Sequence, residues 1–177
     1  MDDFDSEQLA SLVARAARGD EDAWRQIVER CAPRMHAIIR AQCRDDDLAE
    51  EIVQSTFCTV VRTLANYEEG GRFESWLMRI AMNRLRDEMR RRGRQAVPTE
   101  ETTLAGLAGG TEPPPEPDAG RLESRRLQQA MERLSEADRE IIHLRHVGGL
   151  GFKQMAEALD APIGTLLARH HRALRKL

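Results

Sequence analysis

Aromatic side chains make up only 4% of this 177-residue chain. That is too few for a sheet core, where aromatic and β-branched residues carry the packing. The interior must rest on Leu, Ile, Val, Met and Ala, which suit helices, so an all-α fold is expected. Lysine is nearly missing too: Lys153 and Lys176 stand against 25 arginines. Those arginines are clustered, so a net charge of -3 hides local basic patches. The three cysteines, Cys31, Cys43 and Cys58, form no C-x-x-C pair, which speaks against a disulfide framework or a zinc site and for reduced cytosolic thiols. No window approaches eighteen apolar residues, and the start, MDDFDSEQ, is acidic where a signal peptide is basic and then apolar. Membrane insertion and secretion are not expected; a cytoplasmic protein is.

No nucleophile, metal or phosphate-loop pattern is present, which argues against an enzyme and against a small-molecule substrate or cofactor. His143 and His146 lie i, i+3 with no third ligand near in sequence, so no metal site is expected. With 41% hydrophobic and 32% charged residues, the chain fits one globular domain or two small ones.

The most informative stretch runs from Phe73 to Arg94, FESWLMRIAMNRLRDEMRRRGR. Trp76, Leu77, Met78, Ile80, Ala81 and Met82 cover nearly every side of its first turns, implying a helix start buried among other helices. Beyond them only Leu85 and Met89 continue the stripe. From Arg72 to Arg94 eight arginines oppose Glu74, Asp87 and Glu88, a net of +5 on a rod of roughly 33 Å. A solvated arginine face and a polyanion-binding face both fit that pattern.

Upstream, Leu9, Leu12, Val13 and Ala16 predict a first helix, with Ser6 as N-cap and Gly19 as its end. Asp20 caps a second, carrying Ala23, Trp24, Ile27, Val28 and Cys31 up to Pro33, and Met35, Ile38 and Ile39 carry a further segment. Asp45, Asp46 and Asp47 stop it and suit the start of the next helix. There Leu48, Ile52, Val53, Phe57, Val60, Val61 and Leu64 share a broad apolar face, with Glu50, Glu51 and Gln54 elsewhere on its surface. A loop through Tyr67 and Gly70-Gly71 leads into the arginine-rich helix. Residues 1–94 thus read as one helical bundle domain.

Residues 95–120 hold five prolines, four glycines and five acidic residues without a Lys or Arg, the composition of a flexible acidic linker. Residues 121–177 read as a second domain. Its first helix carries Leu122, Leu127, Ala130, Met131 and Leu134, and Ser135 caps the next, which Gly148-Gly149 ends. A short helix with Phe152, Met155, Ala156 and Leu159, the turn Asp160-Ala161 and a basic helix opening at Pro162 then form a helix-turn-helix pattern. On the last helix Ile163, Leu166, Ala173 and Leu177 point inward, while Thr165, Ala168, Arg169, Arg172 and Lys176 share another side suited to the DNA major groove.

Three runs, LAEEIVQSTF, then RFESWLMRIAMNRLRDEMRRRGR, then LSEADREIIHLRHVGGLGFKQMAEALDAPIGTLLARHHRALRKL, together resemble the extracytoplasmic-function (ECF) group of bacterial sigma-70 factors across both domains. The resemblance implies a subunit that binds core RNA polymerase, recognises two spaced promoter elements and assists strand opening. Glu50, Glu51 and Gln54 then correspond to the polymerase-binding surface. Asn83, Asp87, Arg90, Arg91 and Arg94 correspond to the minus-10 element reader, and Tyr67 lies in the loop that captures an extruded base. Thr165, Ala168, Arg169, Arg172 and Lys176 correspond to the minus-35 reader. Catalytic residues and metal ions belong to the polymerase, and an anti-sigma factor or other regulator is an implied partner.

Several positions depart from the family pattern. Leu167 and Ala168 stand where a cation and a hydroxyl are usual, Asp160 replaces the turn glycine, and His170 falls on the inward stripe, where a packed, hydrogen-bonded histidine and a pH switch are the two readings. The alternatives to a sigma factor are a helix-turn-helix regulator independent of polymerase and a sigma-like interaction module held by a partner.

Overall fold

A computed structural model describes residues 3–68, 70–95 and 119–177. The helices are α1 (Asp3–Ala16), α2 (Glu21–Cys43), α3 (Asp46–Thr63), α4 (Phe73–Gln95), α5 (Ala119–Arg133), α6 (Glu136–Ile142), α7 (Phe152–Leu159) and α8 (Ile163–Leu174). A 3₁₀ turn (Leu64–Asn66) follows α3 and a π-helical turn (His143–Val147) extends α6. No strand occurs among the described residues, and the two-domain, all-α expectation holds. The acidic linker expected over 95–120 lies, apart from its ends, outside the described residues.

Two boundaries differ from the sequence reading. The first helix begins at Asp3, so Ser6 lies within it rather than capping it. Pro33 does not break α2, which runs through it as one helix. A proline in a helix interior costs about 3 kcal/mol through a lost hydrogen bond and a clash. Continuing the helix seats Met35, Ile38 and Ile39, all fully buried, and that burial offsets the cost. The aspartates behave as expected: the Asp20 and Asp45 side chains accept the N–H groups of Ala23 and Leu48, both at 3.0 Å, and begin α2 and α3.

Helices α2, α3 and α4 share one core in which Ile27, Ile39, Val60 and Met82 are fully buried. Residues of the C-terminal domain join that same core: Ile141, Leu144, Leu150, Met155 and Leu166 belong to it. The greasy half of α4 is therefore buried partly against α7, not only within its own bundle. Polar contacts reinforce the join. Arg34 donates to the Gly148 carbonyl, Arg86 pairs with Glu140 at 2.8 Å, and Arg44 with Glu132 at 3.0 Å.

Gly148 sits at the join between the two domains. A Cβ there would stand 2.5 Å from Ile38 Cδ1 and 2.8 Å from the Leu144 carbonyl oxygen. Gly148→Ala is expected to destabilise the fold by about 1–3 kcal/mol, as overpacking does, and to speed amide exchange across α7. Exchange in α7 matching the parent would contradict this packing.

His143, 8% exposed, is buried on α6's continuation, and its Nδ1 has no hydrogen-bond partner among the described atoms. Burial, then the charges of Arg139 and Arg44, pushes its pKa from 6.5 down to about 4. The unfolded chain therefore binds a proton more readily than the folded one between those values. Stability contributed by the neutral ring is full above about pH 6.5 and is lost as pH falls toward 4. Denaturation at pH 7 and pH 5 should show the parent losing about 2 kcal/mol more than His143→Gln; parallel losses would contradict the assignment.

Candidate nucleic-acid and polymerase interface

The polar half of α4 presents what its sequence suggests: Asn83, Asp87, Arg90, Arg91 and Arg94 are all exposed. Its cations are not equally available. Arg91 grips Glu88 with two bonds, of 2.7 and 2.8 Å, and Arg92 bridges Glu88 at 3.0 Å and Asp45 at 2.7 Å. Arg91, then Arg92, holds the Glu88 carboxyl below its usual range. Arg90 meets Asp87 at 3.3 Å with both side chains mostly in solvent, a pair easily exchanged for a phosphate. Arg86 donates to Asn83 Oδ1 at 3.2 Å while holding Glu140. Burial pushes the Glu140 carboxyl up, and Arg86 and Arg169 pull it back.

On α3, Glu50, Glu51 and Gln54 are exposed, with the Gln54 amide donating to Glu50 at 3.0 Å. Leu48 on the same helix is buried, as its place on the apolar stripe requires. Asp45 caps α3 and binds Arg92, tying the acidic start of α3 to the basic end of α4. Glu51 lies near enough to act on Arg91 electrostatically. The acidic and basic surfaces are thus adjacent edges of one body.

The loop before α4 holds Tyr67 against the helix start. Tyr67 is not an open ring: one face stacks on Trp76 (4.6 Å between centroids, 29°) and it stands at 78° to Phe73, 5.8 Å away. Beside it lies a groove of about 710 Å³ lined by Asn66, Tyr67, Arg72, Trp76 and Arg79 together with Glu157 and Asp160 from the end of α7. Sequence reasoning placed Trp76 in the core and missed Arg79. Their i, i+3 spacing, with Arg72 one turn earlier, was the available signal, because an i, i+3, i+4 set shares a helix face. The acidic pair from α7 had no such signal; it arrives through tertiary packing.

On α8, Thr165, Ala168 and Arg172 are exposed and Arg169 is half-buried. Lys176 is partly committed: its Nζ binds Asp138 at 2.6 Å and holds that carboxyl below the usual range. Leu166 and Ala173 are buried as expected, but Ile163 and Leu177 are 43% and 41% exposed. Ile163 occupies the first turn and Leu177 lies past the end of α8, so neither is covered by another helix. Asp160 adopts the left-handed conformation (φ 50°) that its place in the turn demands. His170 is half-buried and hydrogen-bonded, to His146.

A helical bundle ending in an arginine-rich helix, followed by a helix-turn-helix, matches two family models: Sigma-70 region 2 over residues 27–95 and Sigma-70 region 4 over residues 124–177. Curated relatives match along nearly the whole length. The RNA polymerase sigma factor CarQ of Myxococcus xanthus is 34% identical, over 93% of this chain and 92% of its own. The ECF RNA polymerase sigma factor SigK of Mycolicibacterium vanbaalenii is 30% identical, over 96% and 88%. The chain belongs to the ECF group of the sigma-70 family. In this sigma factor the region 2 match spans α2 to α4 and the region 4 match runs from within α5 to the end. Solved structures agree on the fold. CnrH, in complex with the cytosolic domain of CnrY, superposes with a TM-score of 0.70 over 94% of this chain and 92% of its own, at 24% identity. The sigma factor RpoE of Bartonella quintana, in complex with the anti-sigma factor NepR, gives 0.68 at 25% identity, over 86% and 92%. As an RNA polymerase sigma factor the protein confers promoter recognition and assists strand opening in transcription initiation. Sigma factors are initiation factors and not classical enzymes. No helix among the described residues is long and apolar enough to cross a membrane.

Proposed function

We propose that the two exposed edges of the N-terminal domain divide the work. Glu50, Glu51 and Gln54 on α3 bind core RNA polymerase, while Asn83, Asp87, Arg90, Arg91 and Arg94 on α4 engage the minus-10 element as it opens. The carrying observation is that these α4 side chains are all exposed on a helix whose first half is anchored in the core. Phosphate contacts from the arginines would set position, and Asn83 would supply hydrogen bonding to bases. The groove beside Tyr67 and Trp76 accepts an unpaired base, with Arg72 and Arg79 near its phosphates.

The C-terminal domain reads the minus-35 element through Thr165, Ala168, Arg169 and Arg172, with Lys176 contributing less because Asp138 holds it. Glu157 and Asp160 share the groove with Arg72 and Arg79, so α7 must withdraw before nucleic acid enters. Residues 1–94 and 121–177 act as the two domains, and the acidic stretch between them occupies a basic polymerase channel. The reaction's metal ions and catalytic groups belong to the polymerase, and the protein works in the cytoplasm. A second reading, a module held by an anti-sigma partner, is favoured by the apolar side chains Leu167 and Leu174, 46% and 45% exposed on α8.

Transcription by core polymerase plus this chain, over a genomic fragment library with the starts sequenced, tests the proposal. Specific starts that vanish with Glu50→Arg are expected, because that change inverts a charge on the polymerase face. Absence of specific starts would refute the proposal.

A further inference from the structure

His146 stands in the π-helical turn after α6 and His170 on α8, yet their Nε2 atoms are 3.0 Å apart. The ring planes differ by only 17° and the centroids are 5.3 Å apart. That centroid separation exceeds the nitrogen separation by about two ring radii, so the nitrogens meet head-on along one line. This is the arrangement of a single N–H···N hydrogen bond. One ring donates from Nε2, and the other accepts there while carrying its own proton on Nδ1.

Such a bond answers acid in two unequal steps. The first added proton enters the free Nδ1 of the donor ring, which becomes an imidazolium that still donates, and a charge-assisted bond is the stronger kind. The second proton has only the accepting Nε2 to occupy. Two N–H groups on two cations then face each other, and the bond is lost. The surroundings offer no counter-charge for that second proton. Phe152 on α7 meets the His170 ring edge-on (5.3 Å, 82°), and the Arg145 guanidinium lies 5.3 Å from the Phe152 ring centre. Burial, then the charges of His146, Arg145 and His171, lowers the His170 pKa from its ordinary 6.5. The α6 carboxylates nearest α8 are engaged, Asp138 by Lys176 at 2.6 Å and Glu140 by Arg86 at 2.8 Å, with the charges of Arg172 and Arg169 acting on them. On α7, Lys153 is exposed and Glu157 lines the groove beside Tyr67.

We propose that His146 and His170 form an acid-released latch on α8: their bond survives uptake of one proton, breaks on uptake of a second, and then frees the minus-35 helix from the turn after α6. Its effect on DNA rests on the assignment of α8 to the minus-35 element; the latch itself does not. An unfolded histidine takes its proton at about pH 6.5, and the folded His170 only at lower pH. Stability supplied by the bond is therefore full above about pH 6.5 and is lost as pH falls through the second step.

An NMR titration of the histidine rings in the full chain tests the latch. His146 and His170 are expected to share two separated steps, each moving the signals of both rings, the lower one below the usual histidine range. His146→Gln keeps a hydrogen-bonding group that never charges, and the exposed position spares the fold. At the lower step, amide exchange in α8 of the parent should exceed that of His146→Gln by about 5-fold or more, as loss of one hydrogen bond implies. At pH 8 the two should match. His143 titrates in both chains and cancels from the comparison. Two rings that titrate independently, or α8 exchange that rises with acid equally in both chains, overturns the proposal. Holoenzyme binding at pH 7 and pH 5 to promoters with and without the minus-35 element reads the consequence. An acid loss confined to the parent and to promoters bearing the element is expected. Binding indifferent to the element at both pH values refutes the assignment of α8, and the NMR steps then judge the latch separately.

Discussion

Arg90→Ala combined with Arg91→Ala is expected to lower promoter affinity of the holoenzyme by roughly 10-fold or more and to reduce the slope of log K against log salt by about two, one for each phosphate contact removed. Binding to core polymerase should change little. Both side chains lie on the solvent side of α4, and their present partners, Asp87 and Glu88, are on the same helix. Exposed pairs of this kind contribute little to folding, and Glu88 keeps Arg92 when Arg91 is removed. A DNA-binding loss is therefore separable from a folding loss. An unchanged salt slope, or an equal loss of polymerase binding, would contradict the division of labour between α3 and α4.

Phe73→Ala is expected to cost about 3–5 kcal/mol of stability, the usual range for removing a buried aromatic ring. Phe73 is 2% exposed at the first turn of α4 and packs against both Tyr67 and Trp76. Its loss would leave a cavity where the loop, the helix start and the core meet. Trp76→Ala should be milder for stability, because Trp76 is only half-buried. It should nonetheless impair strand opening, because it removes the platform on which Tyr67 stacks. Chemical denaturation alongside permanganate reactivity of promoter thymines separates the two effects. A loss below 1 kcal/mol for Phe73→Ala would show that the ring is not the anchor described.

Local patterns made most of this molecule legible. The aspartates at helix starts, the apolar stripe of α3, the two-part character of α4 and the turn at Asp160 follow from short-range rules, and the structure agrees with them except at Val61, which the stripe included and which is 58% exposed. Pro33 misled because its local penalty is outweighed by burial of residues beyond it, a tertiary effect. Lys176 reads in sequence as part of the DNA side of the last helix, and Asp138, 38 residues away, binds its Nζ. Tyr67 looked available for stacking, and Trp76 already covers one face. Gly148 reads as a helix terminator in sequence; its tighter constraint is Ile38, brought to it by packing between the domains. In each case the missing information was a partner distant in sequence.

On the proposed division of labour, the exposed side of α4 meets promoter DNA while α3 faces polymerase. A photo-crosslinking side chain at position 83, and a second at position 51, in open complexes formed with core polymerase would test it most directly. Position 83 is expected to crosslink to the non-template strand at the minus-10 element and position 51 to a polymerase subunit. Crosslinking of position 83 to polymerase with none to DNA would contradict it.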